Sequence, residues 1–543
     1  MCGITAIIHV DDDNTTNIVG NTLNKTIDMS SSGTNVDTNL FTDLYESLFH
    51  LQHRGQDSFG ICTFQSNCEP VITKSLGLIN KVDYKSHNIS NVNCIIGHIR
   101  YSTNNKNGVD KLSQIQPVHT FKKNNITEKS VNRQLYMCHN GHIEMTSQAL
   151  SFCQKHNLPL EYTSDSEMFY TVFYELAKSF INDSEFHKKT FISHKSSISI
   201  IINEVYTLFP HGSYSIICVI EGIGILCFKD RFGIRPLSIG EKDNKILIAS
   251  ESIALSSQNY NNIRELLPGE AFFYCFDSKL RLWKDILHNT FNTIDIYSSD
   301  YDACFKNSTQ QFYSKPTTIS LKPCIFEWIY LARAESIIYN VPVYNMRLTM
   351  GELLARRVIE QVPDWHEYDY IIPVPDTSRP YALSIAKTLN IPYIEAIIKN
   401  RYIYRTFIMD TQEKRKSNLK CKLNIIPSLI AGKNIMIVDD SIVRGNTMNH
   451  IIELLRTTYV GKITVISASP PIINVNKYGL DIPTQEELAS FNYSPEELAN
   501  KYNVDHVVFQ SMDNLYKSVQ KYNKNITELE LSIFRTFEKI TPI

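Results

Sequence analysis

A chain of 543 residues is long enough for more than one domain, and its 43% hydrophobic and 20% charged content suits an ordinary globular protein. A formal net charge of −2 gives no general attraction to nucleic acid or to an anionic membrane, and no uninterrupted apolar run is long enough to span a bilayer. The 12 cysteines are scattered without a Cys-x-x-Cys, and no basic-then-apolar leader is visible, so the expectation is reduced thiols and a cytoplasmic protein rather than a disulfide or zinc framework.

In chain order, residues 2–10 read as a strand, and the Asn/Ser/Thr-rich stretch 11–37 as a surface insertion. Phe41 to Leu51 read as a helix, followed by strand signals at ICTF, VITK, CIIGHI and QLYMC. Helical patterns follow at Ser147–His156 and Asp165–Phe180, and the lysine- and serine-bearing stretch 184–197 reads as a loop. Strands resume at Tyr214–Val219, Gly224–Phe228, Lys245–Ala249 and Glu270–Phe276, and residues 286–322 show too little periodicity for anything but a linker. Beyond it a helix near Thr349–Glu360, the strand Tyr370–Val374 and a helix over Tyr381–Leu389 begin a strand–helix alternation. The strand Lys462–Ser467 continues it, and residues 484–543 read mainly as helices.

The run NIMIVDDSIVRGNT, Asn434 to Thr447, carries the most chemistry. Ile435 to Val438 make a short buried strand; Ile451, Ile452, Leu454 and Leu455 start a helix. Between them a polar loop with Gly445 sits at a helix N-terminus, where outward N–H groups and the helix dipole favour an anion. Asp439 and Asp440 would repel a bare anion, but suit a ligand that also brings sugar hydroxyls or a divalent cation. A strand–turn–helix connection with solvated carboxylates is the plainer reading. The run resembles the PRPP-binding motif of type I phosphoribosyltransferases.

At the other end, Cys2 follows the initiator Met, which aminopeptidases remove before small residues. A freed α-amino group, with an ordinary pKa near ~7.7–8.0, would then serve as the base of its own thiol. His53-Arg54-Gly55-Gln56-Asp57, Gly97-His98-Ile99-Arg100-Tyr101-Ser102-Thr103, His139-Asn140-Gly141 and Ser164-Asp165-Ser166-Glu167 follow in this order. Each alone has a bland reading, a surface charge or a hairpin turn. Together with Cys2 they resemble the class II, N-terminal-nucleophile glutamine amidotransferases. The two modules in this order resemble the amidophosphoribosyltransferase family.

That resemblance implies an α+β αββα sandwich followed by an α/β parallel-sheet domain: residues 2–285 as the glutaminase, 286–322 as linker, 323–483 as the phosphoribosyltransferase and 484–543 as a C-terminal helical segment. It implies Cys2 as nucleophile, Asn140 and Gly141 as oxyanion hole, Arg54 as support, and Arg100 and Asp165 as ligands of the glutamine α-carboxylate and α-ammonium. For PRPP it implies Asp376, Thr377 and Ser378 as the pyrophosphate loop, with Lys399, Arg401 and Tyr402 in a lid. Asp439, Asp440, Ser441, Arg444, Gly445, Asn446 and Thr447 would hold ribose and 5-phosphate, and Thr377, Asp439 and Asp440 would organise Mg²⁺. Pyrophosphate would leave PRPP and ammonia from glutamine would replace it, giving 5-phosphoribosylamine, the first step of purine synthesis. Purine nucleotides would inhibit, and the assembly would be a homo-oligomer, a tetramer in the family. Some members carry an iron–sulfur cluster. No cysteine follows Cys421, so none is expected here.

Three residues depart from the family pattern: Asn446 for Thr, Tyr404 for Gly in the lid, and His142 for Asn after Asn140-Gly141. They leave open a catalytically weak PRPP-binding regulatory paralogue. A third reading, an amidotransferase making an amino sugar or asparagine, is opposed by the IVDDSIVRGNT run, which neither of those families carries.

Overall fold

The computed structural model describes residues 2–10, 36–65, 68–82, 92–101, 112, 114–119, 133–189, 191–276, 293–295, 321–400, 423–480, 482 and 484–534. Two compact units divide the chain, Met1–Ser320 and Leu321–Ile543.

The first unit is built from β1 (Gly3–His9), α1 (Val36–His50), β2 (Ser58–Gln65), β3 (Val71–Leu76), β4 (Val92–Arg100), β5 (Val118–His119), β6 (Leu135–His142), α2 (Ser147–Lys155), α3 (Asp165–Ile181), α4 (Phe191–Leu208), β7 (Ser213–Ile220), β8 (Gly224–Lys229), β9 (Ser238–Lys242), β10 (Lys245–Ala249), α5 (Ile253–Ser256), β11 (Asn261–Glu265), β12 (Glu270–Cys275) and β13 (Thr293–Asp295). They form two antiparallel sheets, ordered β11-β9-β10-β1-β4-β2-β3 and β13-β12-β8-β7-β6-β5. Side chains alternate across each strand. Ile4, Ala6 and Ile8 of β1 meet Tyr136 and Cys138 of β6 in the layer between the sheets. On the other face of β1, Ile7 packs under Leu44 and Leu48 of α1. The outer face of the second sheet buries Leu135 and Met137 against α3 and α4. Helix, sheet, sheet, helix is the αββα order, and because both faces of the inner strands are covered they read as nearly continuous apolar runs.

The stretch 184–197 is not the expected loop: α4 begins at Phe191 and buries Ile198, Ile201, Ile202 and Val205. Its hydroxyls disguise it, since Ser197 Oγ donates to the Ser193 carbonyl at 3.1 Å and Ser199 Oγ to that of Lys195 at 2.9 Å, so polar residues bond back into the helix. Val36 and Asp37, read with the insertion, open α1, while 11–35 lie outside the described residues. Within the expected linker, Thr293–Asp295 pairs with β12 as an edge strand.

The second unit contains the hairpin β14 (Ile337–Ile338) and β15 (Val341–Pro342), α6 (Val343–Gln361), β16 (Tyr370–Pro373), α7 (Arg379–Leu389), the pair β17 (Ile397–Lys399) and β18 (Leu423–Ile425), β19 (Ile435–Asp439), α8 (Asn446–Arg456), β20 (Ile463–Ser467), α9 (Pro495–Tyr502), β21 (His506–Phe509) and α10 (Met512–Gln520). Its sheet is parallel throughout, ordered β16-β19-β20-β21. Residues 484–534 are therefore not only helical: they supply the fourth strand, four residues (HVVF) too short to stand out between two helices. In α8 the buried face is Met448, Ile451, Ile452 and Leu455, an i, i+3, i+4, i+7 set, and Leu454 falls on the flank. Among the described residues no helix is long and apolar enough to cross a membrane.

Candidate active sites

In the first unit, side-chain alternation brings the predicted residues together. Cys2 shares the parity of Ile4 and Ala6, Arg100 that of Cys94 and Ile96, and Asn140 that of Tyr136 and Cys138. All three therefore project into the slot between the sheets. The Cys2 nitrogen donates to Asn140 Oδ1 at 3.3 Å, joining residues 138 positions apart. Asn140 is fully buried, and its Nδ2 finds no hydrogen-bond partner. A buried amide with one end committed and the other unsatisfied costs about 1–3 kcal/mol, unless a ligand completes it. Gly141 stands at φ +152°, and a Cβ there would lie 1.9 Å from the Ser213 carbonyl oxygen, so no other residue fits.

Cys2, Arg100, Gly141 and Asp165 line one cleft, together with Gln114, Gln116 and Ser166. Asp165 opens α3, whose N-cap Ser164 accepts from the Glu167 N–H at 3.1 Å. The Asp165 carboxylate accepts from the N–H groups of Ser166 (Oδ1, 2.8 Å) and Ile143 (Oδ2, 3.3 Å), and His142 Nδ1 stands 3.5 Å from Oδ2. Burial by itself would raise this carboxyl; the hydrogen bond to His142, the nearby His139 and the Ile143 N–H outweigh it and hold Asp165 below its ordinary value. Arg100 Nη2 donates to Gln114 Oε1, so the guanidinium is oriented from behind. Gln116 accepts the His139 N–H at 2.6 Å and donates to Ser166 Oγ at 2.9 Å, tying β6 to the start of α3.

Arg54 is not in the cleft lining. Its Nε pairs with Glu251 Oε1 in full burial, and His53 Nε2 reaches the same oxygen at 2.7 Å. Ser250, next to Glu251, accepts the Ile4 N–H at 3.0 Å, so this buried pair braces the strand that carries Cys2. Glu251, Gln114 and Gln116 were not read from the sequence; a lone carboxylate and a Gln-x-Gln before proline carry no distinguishing spacing. Ser102 and Thr103 lie outside the described residues.

In the second unit both predicted loops leave the C-terminal ends of neighbouring parallel strands: Pro375–Ser378 after β16, and 440–445 after β19. The Val374 N–H donating to the Val438 carbonyl at 2.8 Å holds them side by side. Asp376 is exposed and binds Arg379 and Lys399, each at 2.6 Å. Burial pushes its carboxyl up, but the two cations, Lys399 foremost, hold it below its usual range. Ser378 is buried with its hydroxyl donating to the Val374 carbonyl, so it braces the loop and does not cap α7. Thr377 is half-buried beside it.

Asp439 and Asp440 sit together: the Asp440 N–H donates to Asp439 Oδ1 at 2.9 Å, and Ser441 Oγ donates to Asp440 Oδ1 at 2.7 Å. Burial, then the adjacent Asp440 charge, raises the Asp439 carboxyl well above its ordinary value. Gly445 adopts φ +78° as the N-cap of α8, and a Cβ there would lie 2.1 Å from the Tyr502 hydroxyl. Asn446 and Thr447 are exposed at the first turn, where free N–H groups point outward. Arg444 turns aside to pair with Glu487 at 2.7 Å. Arg401 and Tyr402, with Tyr404, lie outside the described residues.

Among the described residues no group of three or more His, Cys, Asp or Glu could hold a metal ion. The adjacent carboxylates still fit Mg²⁺, which keeps most of its waters and binds through one or two carboxylates plus substrate oxygens. A divalent cation would also relieve the crowding of negative charge that raises Asp439.

Residues 348–478 match the phosphoribosyl transferase domain family. The chain is 34% identical over 500 residues to the amidophosphoribosyltransferase of Pasteurella multocida, covering 90% of this chain and 88% of that one. To the enzyme of the same name from Schizosaccharomyces pombe it is 32% identical, with 90% and 86% covered. A solved structure of glutamine phosphoribosylpyrophosphate amidotransferase from B. subtilis, complexed with ADP and GMP, superposes with a TM-score of 0.71 at 26% identity, over 98% of this chain and 96% of the other. Two parallel-strand loops, an N-terminal cysteine held by a buried asparagine, and relatives that span nine-tenths of the sequence lead to one conclusion: this chain belongs to the amidophosphoribosyltransferase family.

Proposed function

We propose that this chain hydrolyses glutamine at Cys2 and spends the ammonia on PRPP, releasing pyrophosphate and forming 5-phosphoribosylamine. The observation that carries the first half is Asn140, whose Oδ1 holds the Cys2 nitrogen while its buried Nδ2 points to no partner. With Met1 removed, that nitrogen is the α-amine. It takes the thiol proton as Sγ bonds to the glutamine amide carbon, and the oxygen that turns anionic receives Asn140 Nδ2–H and the Gly141 N–H. The amine's proton goes to the leaving nitrogen, ammonia departs, and water then cleaves the thioester to glutamate. Arg100 pairs with the α-carboxylate and Asp165 with the α-ammonium, which places the amide at the thiol.

In the second half Asp439 and Asp440 receive ribose hydroxyls, and the N-terminal turn of α8 with Asn446 and Thr447 receives the 5-phosphate. Pro375–Ser378, with Lys399, receives pyrophosphate. Mg²⁺, held by the Asp439–Asp440 pair and Thr377, would supply charge neutralisation for the departing pyrophosphate. Because the family likeness spans both units, it favours the enzyme over a PRPP-sensing paralogue. A purine nucleotide carries the same 5-phosphate and ribose, and the B. subtilis relative holds ADP and GMP, so nucleotide inhibition belongs to this reading. So do a cytoplasmic location and assembly into a homotetramer.

The test is pyrophosphate release from PRPP and Mg²⁺, with glutamine and with ammonium in parallel. Cys2→Ala is expected to lose the glutamine-dependent rate and keep the ammonium-dependent one. Equal loss of both sinks the assignment.

A further inference from the structure

We propose that His142 sets the charge of the glutamine-binding cleft, so that its protonation competes with the substrate α-ammonium for Asp165. This rests on the cleft being the glutamine site, and it assigns a positioning role to a residue that touches no reacting atom.

The geometry is a three-way contest around one carboxylate. Asp165 Oδ1 is occupied by the Ser166 N–H, and Oδ2 by the Ile143 N–H, with His142 Nδ1 3.5 Å away. Asp165 lines the cleft and His142 stands against its Oδ2, the two side chains 28% and 30% exposed, so a ligand that reaches this carboxylate competes with the ring for it. On its far side His142 Nε2 faces Glu144 at 3.8 Å. The other charged groups acting on the ring are Arg235, from the turn after β8, and His139 of its own strand.

The two carboxylates outweigh those neighbours. Hydrogen bonding to Asp165, opposed by partial burial and Arg235 and aided by Glu144, raises the imidazole above its ordinary value. The cation then neutralises the charge that the α-ammonium needs and repels the ammonium itself. When pH rises far enough to take the proton from His142, Asp165 loses its cationic neighbour and its carboxylate is open to the α-ammonium. Glutamine binding therefore releases a proton from His142 wherever the ring is charged in the free protein.

The experiment is calorimetric titration of full-length Cys2→Ala with L-glutamine from pH 6 to pH 8.5, in two buffers of different ionisation enthalpy. Affinity should fall by roughly threefold or more from pH 8 to pH 6, because the apparent constant scales with the fraction of competent sites. Proton release should accompany binding at the acidic end of this range and fade toward the alkaline end. His142→Asn in the same background should bind with a flat pH profile and no proton release. His142→Lys, a permanent cation, should bind weakly throughout. If the Asn variant keeps the proton release and the slope, or the Lys variant binds as tightly as Cys2→Ala at pH 8, the role of His142 is overturned. Absence of glutamine binding at every pH in Cys2→Ala instead overturns the assignment of the cleft, and the role of His142 with it.

Discussion

Asn140 has two polar ends with opposite fates. One accepts the Cys2 N–H, and the other is left open inside a fully buried setting. Removing it deletes a donor aimed at a charge present only in the tetrahedral state, so Asn140→Ala is expected to lower glutaminase kcat by about 10²–10³ with a smaller change in KM. Steady-state glutamate release measures this. Asp439 shows the reverse economy. Folding holds this half-buried carboxylate beside another, so its folded pKa lies above the unfolded one. The folded state binds the extra proton, and stability falls as pH rises between those two values. Asp439→Asn should raise the metal-free Tm by roughly 2–4 °C, what about 1 kcal/mol does in a unit of this size. The same change should abolish the response to PRPP. A lowered Tm would refute the idea that this carboxylate is retained against stability.

At the scale of elements, the loops of the second unit are made where a strand hands over to a helix, β16 to α7 and β19 to α8. Gly445 is the N-cap of α8, and it is pinned from two sides: φ +78° disfavours a side chain on the backbone, and the Tyr502 hydroxyl of α9 fills the space where one would go. Gly445→Ala must therefore push α9 or the loop aside. The ammonium-dependent rate at low PRPP should fall by at least about tenfold, while glutamine hydrolysis in the absence of PRPP stays intact. Comparing the two assays on one preparation separates a loop defect from general unfolding. The Asp376–Lys399 and Arg379–Glu395 pairs belong to the same scale. All are substantially exposed, so their net contribution to stability is small, and they tie the loop after β16 to Lys399 and Glu395.

At the scale of the whole molecule, the proposed reading gives the two units separable chemistry. The complement of the Cys2→Ala result is Asp440→Ala, expected to lose pyrophosphate release with either nitrogen source and to keep glutaminase activity. Loss of glutaminase in that variant would show that one site depends on the acidic pair of the other.

Much of this was legible from the chain alone, because the chemistry of each site is concentrated in short contiguous runs. Asp439 to Thr447 and Asn140-Gly141 stand in short runs whose likeness to a family suggests their roles, and the inner strands of the αββα layers are nearly continuous apolar runs. What could not be read depended on partners distant in sequence or on masking by polar groups. Helix α4 is hidden by serines that bond back to its own carbonyls. Strand β21 is four residues whose identity comes only from pairing with β20. Glu251 and Gln116 have no local pattern, since their function is to meet Arg54 and His139 across the fold. The contiguous runs were enough to point to the family and to a chain in two parts, since neither needs knowledge of what packs against what. Only the tertiary structure decided that His142 faces Asp165 and that Asn140 keeps a free donor, because burial and through-space contact arise when separate strands and helices are packed together.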